Sequence, residues 1–413
     1  MKFRKVDEVA RWRLCAGCGA CKYVCPQSNI SLVDVECDGI RPFLGAGNCE
    51  NCGQCIKVCP GIGIEHPFLQ KNAHLIDVMQ GWGPIHELWE GYATDPDIRY
   101  QGSSGGLASA LALYCIEKEG MHGALHITAD PEKPYLNKTV MSRSRTDILS
   151  RSGSRYSPAS PCDGLEMIES SIAPCVFIGK PCDIEGLRKA QQLKSELDKK
   201  VGVAIGIFCA GTPSTKGTMD LLISLNVNPK DAEEIRYRGK GWPGTFSVRL
   251  KGEEKAKEIM TYMASWGFVQ KYRPYRCYLC PDGTSEFADI SCGDPWYREV
   301  KEGEQGYSLV LVRSEKGREI LHGAMQAKYV SLKEASPRTL EDSQKNLLDK
   351  RGAIWGRLIA MKLFTVPTPT LRGFYLFNNW LKMPFYQKLR SVLGTARRII
   401  QRGYYKPTKK NNC

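Results

Sequence analysis

Short apolar runs alternate, through the middle of the chain, with longer stretches whose apolar positions return every three or four residues. The runs Cys175 to Gly179, Val201 to Phe208 and Ser308 to Val312 read as strands. Leu107 to Lys118, Ile184 to Lys199, Thr218 to Leu225 and Lys316 to Gln326 read as helices. This alternation, from about residue 85 to 345, predicts an α/β core with at least partly parallel strands. Before residue 70 the apolar pieces are short and broken by Gly, Pro and Asn, as in a small domain organised by its ligands. Beyond residue 345, basic and aromatic residues mix with Pro367, Pro369 and Pro384, which predicts a mainly helical extension of short helices and turns. The expected division is 1–75, 76–345 and 346–413.

Composition alters this picture in two places. With 413 residues, 42% hydrophobic and 25% charged, the chain is an ordinary globular one of two to three domains. The longest good apolar stretch, Leu107 to Ile116, is too short to cross a bilayer. The net charge of +14, however, is almost all in residues 351–413, which hold thirteen Lys or Arg and no Asp or Glu. The rest is near neutral. The second anomaly is eighteen cysteines. The opening MKFRKVDEVARWRL has no apolar signal region, so a cytoplasmic protein with reduced thiols is expected, and ligand sites rather than a disulfide framework.

Cys15, Cys18, Cys21, Cys25 and Pro26 recur as Cys49, Cys52, Cys55, Cys59 and Pro60, a CxxCxxCxxxCP run repeated after 34 residues. Two-residue gaps bring three thiolates onto three corners of a cubane, while the fourth, one helical turn on, faces the other cluster. One 4Fe-4S cluster is thus assigned to Cys15, Cys18, Cys21 and Cys59, and a second to Cys49, Cys52, Cys55 and Cys25. Structural zinc needs four ligands from two CxxC pairs, and eight exceed that need. The segment resembles the bacterial-type two-cluster ferredoxin domain, which implies an α+β module passing single electrons.

In the core, Cys182 and Cys209 each follow a predicted strand, where open α/β sheets collect ligands, and Cys277 and Cys280 form a further CxxC. By spacing alone these are equally buried thiols, a redox dithiol or half a zinc site. The segments QGSSGGLASAL, GKPCDIEGLRK, IGIFCAGTPS, RYRGKGWPG, RCYLC and ADISCGDPW together resemble the family of coenzyme F420 hydrogenase/dehydrogenase beta subunits. The resemblance implies an α/β flavin-binding core with FAD and a third 4Fe-4S cluster on Cys182, Cys209, Cys277 and Cys280, with Cys292 as a substitute ligand. Cys37, Cys115, Cys162, Cys175 and Cys413 are expected to be unliganded.

The glycine-rich turn before the apolar helix offers Ser103, Ser104, Gly105 and Gly106 to a flavin phosphate at a helix N-terminus. An ordinary capped helix is the plainer reading. Its GxSxG pattern also matches a hydrolase elbow, but no β-rich strand precedes it. Arg238, Lys240 and Trp242 can pair with phosphate or stack on a ring, and Asp294, beside Trp296, is a further cofactor-binding candidate, though a turn explains it as well. The six histidines form no ligand pattern, and no catalytic residue is assigned.

Clusters carry one electron, hydride donors deliver two, and flavin handles both. The expected activity is therefore an iron-sulfur flavoprotein oxidoreductase coupling coenzyme F420 or another hydride carrier to a redox partner protein or ferredoxin. A ferredoxin-dependent reductase of an organic substrate, a non-catalytic electron-transfer subunit and a zinc scaffold are the alternatives. The basic aromatic extension suits an anionic membrane surface, an acidic partner or a solvated face, and no motif points to nucleic acid.

Overall fold

The computed structural model describes residues 3–45, 47, 49–66, 78–301 and 303–409. The expected boundary at 75/76 and Cys413 lie outside them. At the N-terminal end, one-turn helices Ala20–Tyr23 and Gln54–Lys57 flank an antiparallel hairpin, Ile30–Val35 with Gly39–Leu44, in which Ile30 faces Leu44.

An eight-stranded mixed sheet forms the core, in the spatial order Val330–Glu334, Glu87–Ala93, Ser308–Val312, Ile290–Gly293, Val201–Ile207, Cys175–Gly179, Ala124–Ala129, Asn137–Ser142. The four strands from Ile290–Gly293 to Ala124–Ala129 are parallel, and antiparallel strands close both sides. Side chains alternate across the sheet. Val176, Val203 and Ile205 pack on one face with Leu107–Glu117 and Glu315–Gln326. Phe177 and Ala204 meet Pro181–Gln191, the ferredoxin-like module and Ile399 on the other. Burial on both faces explains why Val201–Ile207 is an unbroken apolar run. A smaller three-stranded sheet, Lys257–Thr261, Thr245–Leu250 and Ala232–Arg236, has its own apolar cluster.

The single helix expected over Ile184 to Lys199 is two, Pro181–Gln191 and Ser195–Lys200. The extension holds longer helices than its prolines suggest, Ile354–Leu363 and Phe385–Gln401, because those prolines sit between helices or at their starts. Helix Pro337–Gly352 runs through the expected boundary at 345/346, with a kink at Gln344. The extension is also a clasp. Thr370–Arg372 pairs in parallel with Gly63–Glu65 of the N-terminal module, and Thr408 N donates to Arg11 O at 2.9 Å.

Candidate functional site

A left-handed glycine stands before the third cysteine of each run. Gly19 (φ 92°) and Gly53 (φ 72°) are left-handed and start one-turn helices that carry Cys21 and Cys55, so the fourth cysteine leaves in a new direction. Cys25, Cys49, Cys52 and Cys55 consequently line one cavity, with about 420 Å³ of empty space. Cys21 has Cys15, Cys18 and Cys59 as charge neighbours. Cys55 of the other set is a further charge neighbour of Cys21. The two sets differ in depth: Cys15, Cys18, Cys21 and Cys59 are buried, whereas Cys52 is exposed. Burial pushes the Cys59 thiol up to about 12 and Cys21 well above the ordinary range. Cys18 is lowered instead, by the Cys162 thiol beside it.

The inner set is seated on the core. Ser160 Oγ donates to Gly17 O at 2.6 Å, Cys162 N donates to Cys18 O at 3.0 Å, and a Cβ on Gly19 would stand 2.8 Å from Asp163 N.

Strands Cys175–Gly179 and Val201–Ile207 are parallel neighbours, so Cys182 and Cys209 emerge at the same, carboxyl end of the sheet. Cys277, on the one-turn helix Tyr275–Tyr278, and Cys280 approach from the opposite wall. All four line a cavity with about 640 Å³ of empty space, and Cys15 of the inner set lines it too. Burial pushes Cys182 well up and Cys280 to about 12. Arg41, Lys180, Arg276 and Lys350 supply cations to the same wall. Lys180 Nζ is 2.7 Å from Asp183 Oδ1; burial disfavours its charge, but Asp183 and Cys182 outweigh this and hold it protonated.

An all-sulfur donor set around a buried space suits an iron-sulfur cluster. Among the described residues no three Cys, His, Asp or Glu side chains are grouped to hold a single metal ion. Cys292 lies elsewhere, buried in the apolar cluster on the other face of the sheet, so the cavity is lined without that substitute. Cys115 and Cys175 are core thiols, and Cys37 is disulfide-bonded rather than free. Lys350 could not be found from local sequence: it comes from the extension, 141 positions from Cys209, whose carbonyl it approaches at 3.4 Å. Arg276 and Lys180, by contrast, stand inside the RCYLC and GKPC motifs.

The two glycine-rich loops expected at a flavin meet each other. Gly241 N donates to Tyr100 O at 3.2 Å, and a Cβ on Gly239 would lie 2.9 Å from Gln101 O. Their polar groups, however, are turned inward. Arg238 donates from both terminal nitrogens to Asp294 at 2.9 and 2.8 Å, and Trp242 Nε1 donates to Asp294 Oδ1 at 2.9 Å. Gly105 N donates to Ser308 Oγ, Ser104 Oγ donates to Tyr307 O, and Ser103 Oγ accepts from Ser154 N. A Cβ on Gly105 would stand 2.7 Å from Gly91 O of the neighbouring strand, and one on Gly106 the same distance from Ile98 O of helix Pro96–Gln101, so local packing already requires both glycines. Lys240 alone of these residues is exposed. The set fits a flavin in part only.

Residues 88–165 match the profile of the N-terminal part of the coenzyme F420 hydrogenase/dehydrogenase beta subunit, and residues 173–338 that of its C terminus. The chain belongs to the family of coenzyme F420 hydrogenase/dehydrogenase beta subunits. Residues 14–61 match a 4Fe-4S dicluster domain, so this member of the family carries an iron-sulfur ferredoxin-type module ahead of its mixed α/β core. It is 25% identical to the coenzyme F420-dependent sulfite reductase of Methanocaldococcus jannaschii over 80% of this chain and 49% of the relative. It is 26% identical to the beta subunit of F420-dependent formate dehydrogenase 1 of Methanococcus maripaludis, over 62% of this chain and 64% of the relative. The chain thus spans about half of the first relative and under two thirds of the second. It is also 25% identical to the beta subunit of coenzyme F420 hydrogenase of Methanosarcina barkeri, over 55% of this chain and 75% of the relative. A chain of the F420-reducing NiFe hydrogenase complex of Methanosarcina barkeri overlays 70% of this one and 95% of its own length, with a TM-score of 0.49 and 23% identity. No helix of the described residues is long and apolar enough to cross a membrane.

Proposed function

We propose that this chain is an iron-sulfur flavoprotein oxidoreductase coupling a two-electron carrier of the coenzyme F420 class to a one-electron redox partner. The observation that carries the reading is Cys15: it belongs to the inner thiol set and also lines the cavity of Cys182, Cys209, Cys277 and Cys280. The buried thiol set of the module then stands between the partly exposed outer set and the core cavity. Two 4Fe-4S clusters in the module, a third in the core cavity, and FAD near the glycine-rich loops are the cofactors this reading requires. When bound, they supply single-electron transfer and its exchange with hydride chemistry.

The chain's own residues would do the following. Cys182, Cys209, Cys277 and Cys280 hold the third cluster. Arg41, Lys180, Arg276 and Lys350 offset the negative charge of thiolates and sulfide, and apolar walls exclude water. Lys240 is the flavin contact that the inward pairing of Arg238, Trp242 and Asp294 leaves in play, and Ser103, whose hydroxyl accepts from Ser154 N, keeps only its O–H to offer.

The test is anaerobic reconstitution with iron, sulfide and flavin analysis, followed by reduction with F420H2, NADH, NADPH or reduced ferredoxin. About twelve irons and one flavin per chain, bleached by F420H2, are expected for three cubanes. About eight irons would remove the third cluster. Zinc in place of iron, or no bound flavin, would overturn the reading.

A further inference from the structure

The last helix, Phe385–Gln401, has its polarity reversed. Its 17 residues extend about 25 Å. The residues it buries are Ser391, Thr395 and Ile399, two of them polar. Ser391 Oγ accepts from Trp380 Nε1 at 3.2 Å, and Gly356 of helix Ile354–Leu363 lets the two helices close, since a Cβ there would collide with that hydroxyl. The outward side carries Phe385 (74% exposed), Tyr386 (64%), Leu389 (45%), Leu393 (63%) and Ile400 (58%). Positions 385, 389, 393 and 400 share a helix face. Leu381 and Phe377, at 50% and 46%, continue the crest through helix Leu376–Leu381. Arg390 and Arg397 are exposed beside it.

An exposed apolar crest of this extent marks an interaction surface. Charge identifies the occupant. Residues 351–413 contain no acidic side chain, so the cations beside the crest form a field of one sign. A protein partner would have to answer this field with an acidic patch shaped to the whole crest, and nucleic acid would leave the apolar crest against phosphate. A laterally uniform anionic bilayer takes both features at once, with apolar side chains at the acyl boundary and guanidinium groups at the phosphates.

We propose that the outward face of Phe385–Gln401, extended by Phe377 and Leu381, docks this protein on an anionic lipid surface without spanning it. The proposal is independent of the cofactor reading.

It is tested on the full chain by sedimentation with vesicles of phosphatidylcholine alone or mixed with phosphatidylglycerol, at low and high salt. Partition onto the anionic vesicles only, weakened by salt, is expected. At about 1 kcal/mol for each cation near the surface, Arg390→Gln with Arg397→Gln should lower partition about 30-fold. Leu389→Gln with Leu393→Gln should lower it comparably, with circular dichroism and iron content unchanged. No pelleting with anionic vesicles at low salt overturns the proposal, as does undiminished pelleting of both double variants. A parent dimer dissolved by the leucine variant, or a defined complex with an acidic protein and no vesicle binding, overturns it in favour of protein docking.

Discussion

His66 Nε2 lies 2.7 Å from Glu286 Oε2, and Arg351 reaches the other oxygen of the same carboxylate. The N-terminal module, the core and the C-terminal extension thus meet on one buried side chain. Burial alone would raise the Glu286 carboxyl, but Arg351 and His66 outweigh it and hold the group at about 2. A depressed carboxyl stabilises the fold fully above its ordinary value near 4.5 and loses that contribution as pH falls toward 2. The shift corresponds to on the order of 3 kcal/mol. Acid titration followed by tryptophan fluorescence should show a transition in this window. In Glu286→Gln the loss of stability through this window should be smaller, since Glu87, Asp95 and other depressed carboxyls still titrate there, and stability near pH 7 should drop because Arg351 is left buried without its counter-charge.

The crossed thiol sets make an asymmetric prediction. Cys59→Ser should remove the magnetic signal of the buried cluster and leave the exposed one, while Cys25→Ser should do the reverse. Each variant should keep about half of the module's iron in anaerobic EPR and iron analysis. Loss of the same signal in both variants would contradict the crossing.

Lys350 brings a cation from the extension to the wall shared by Cys209 and Cys280. Removing a positive charge disfavours the more negative, reduced state of a cluster. If the core cavity holds the proposed third cluster, Lys350→Gln should therefore lower that cluster's midpoint potential by on the order of 50 mV, given an effective protein dielectric near 20. Potentiometric titration followed by EPR checks this, with the module's two signals unmoved.

Arg238 and Asp294 form a bidentate pair that joins the RYRGKGWPG and ADISCGDPW turns. Asp294→Asn leaves a buried guanidinium short of its partner and should cost about 3–5 kcal/mol, seen as a fall in Tm on the order of 10 °C. Replacing both, as Arg238→Met with Asp294→Leu, should restore part of the loss, because no unmatched charge then remains buried.

What the sequence discloses follows the range of each interaction. Cys175–Gly179 and Ser308–Val312 are legible to the residue because their environment, buried on both faces, is written as uninterrupted β-branched and apolar residues. The iron-sulfur module is legible because each CxxCxxCxxxCP run is encoded within about a dozen positions, and residues 14–61 match a 4Fe-4S dicluster domain. Strand Glu87–Ala93 is not, since its Glu90, buried beside Tyr297, breaks the apolar pattern. Arg238 and Asp294, 56 positions apart, each read as facing a ligand, and nothing local announces that they face each other. Lys350 is hidden for the same reason: its role arises from how the extension folds back.

The strand pair Thr370–Arg372 with Gly63–Glu65 joins segments about 300 positions apart. During synthesis residues 63–65 emerge about 300 positions ahead of their strand partner, so that edge stays unpaired until residues 370–372 have left the ribosome. Maturation therefore has an order imposed by topology: inorganic cores have their easiest access to the eight N-terminal thiols early, and the returning extension then seals the module against the sheet.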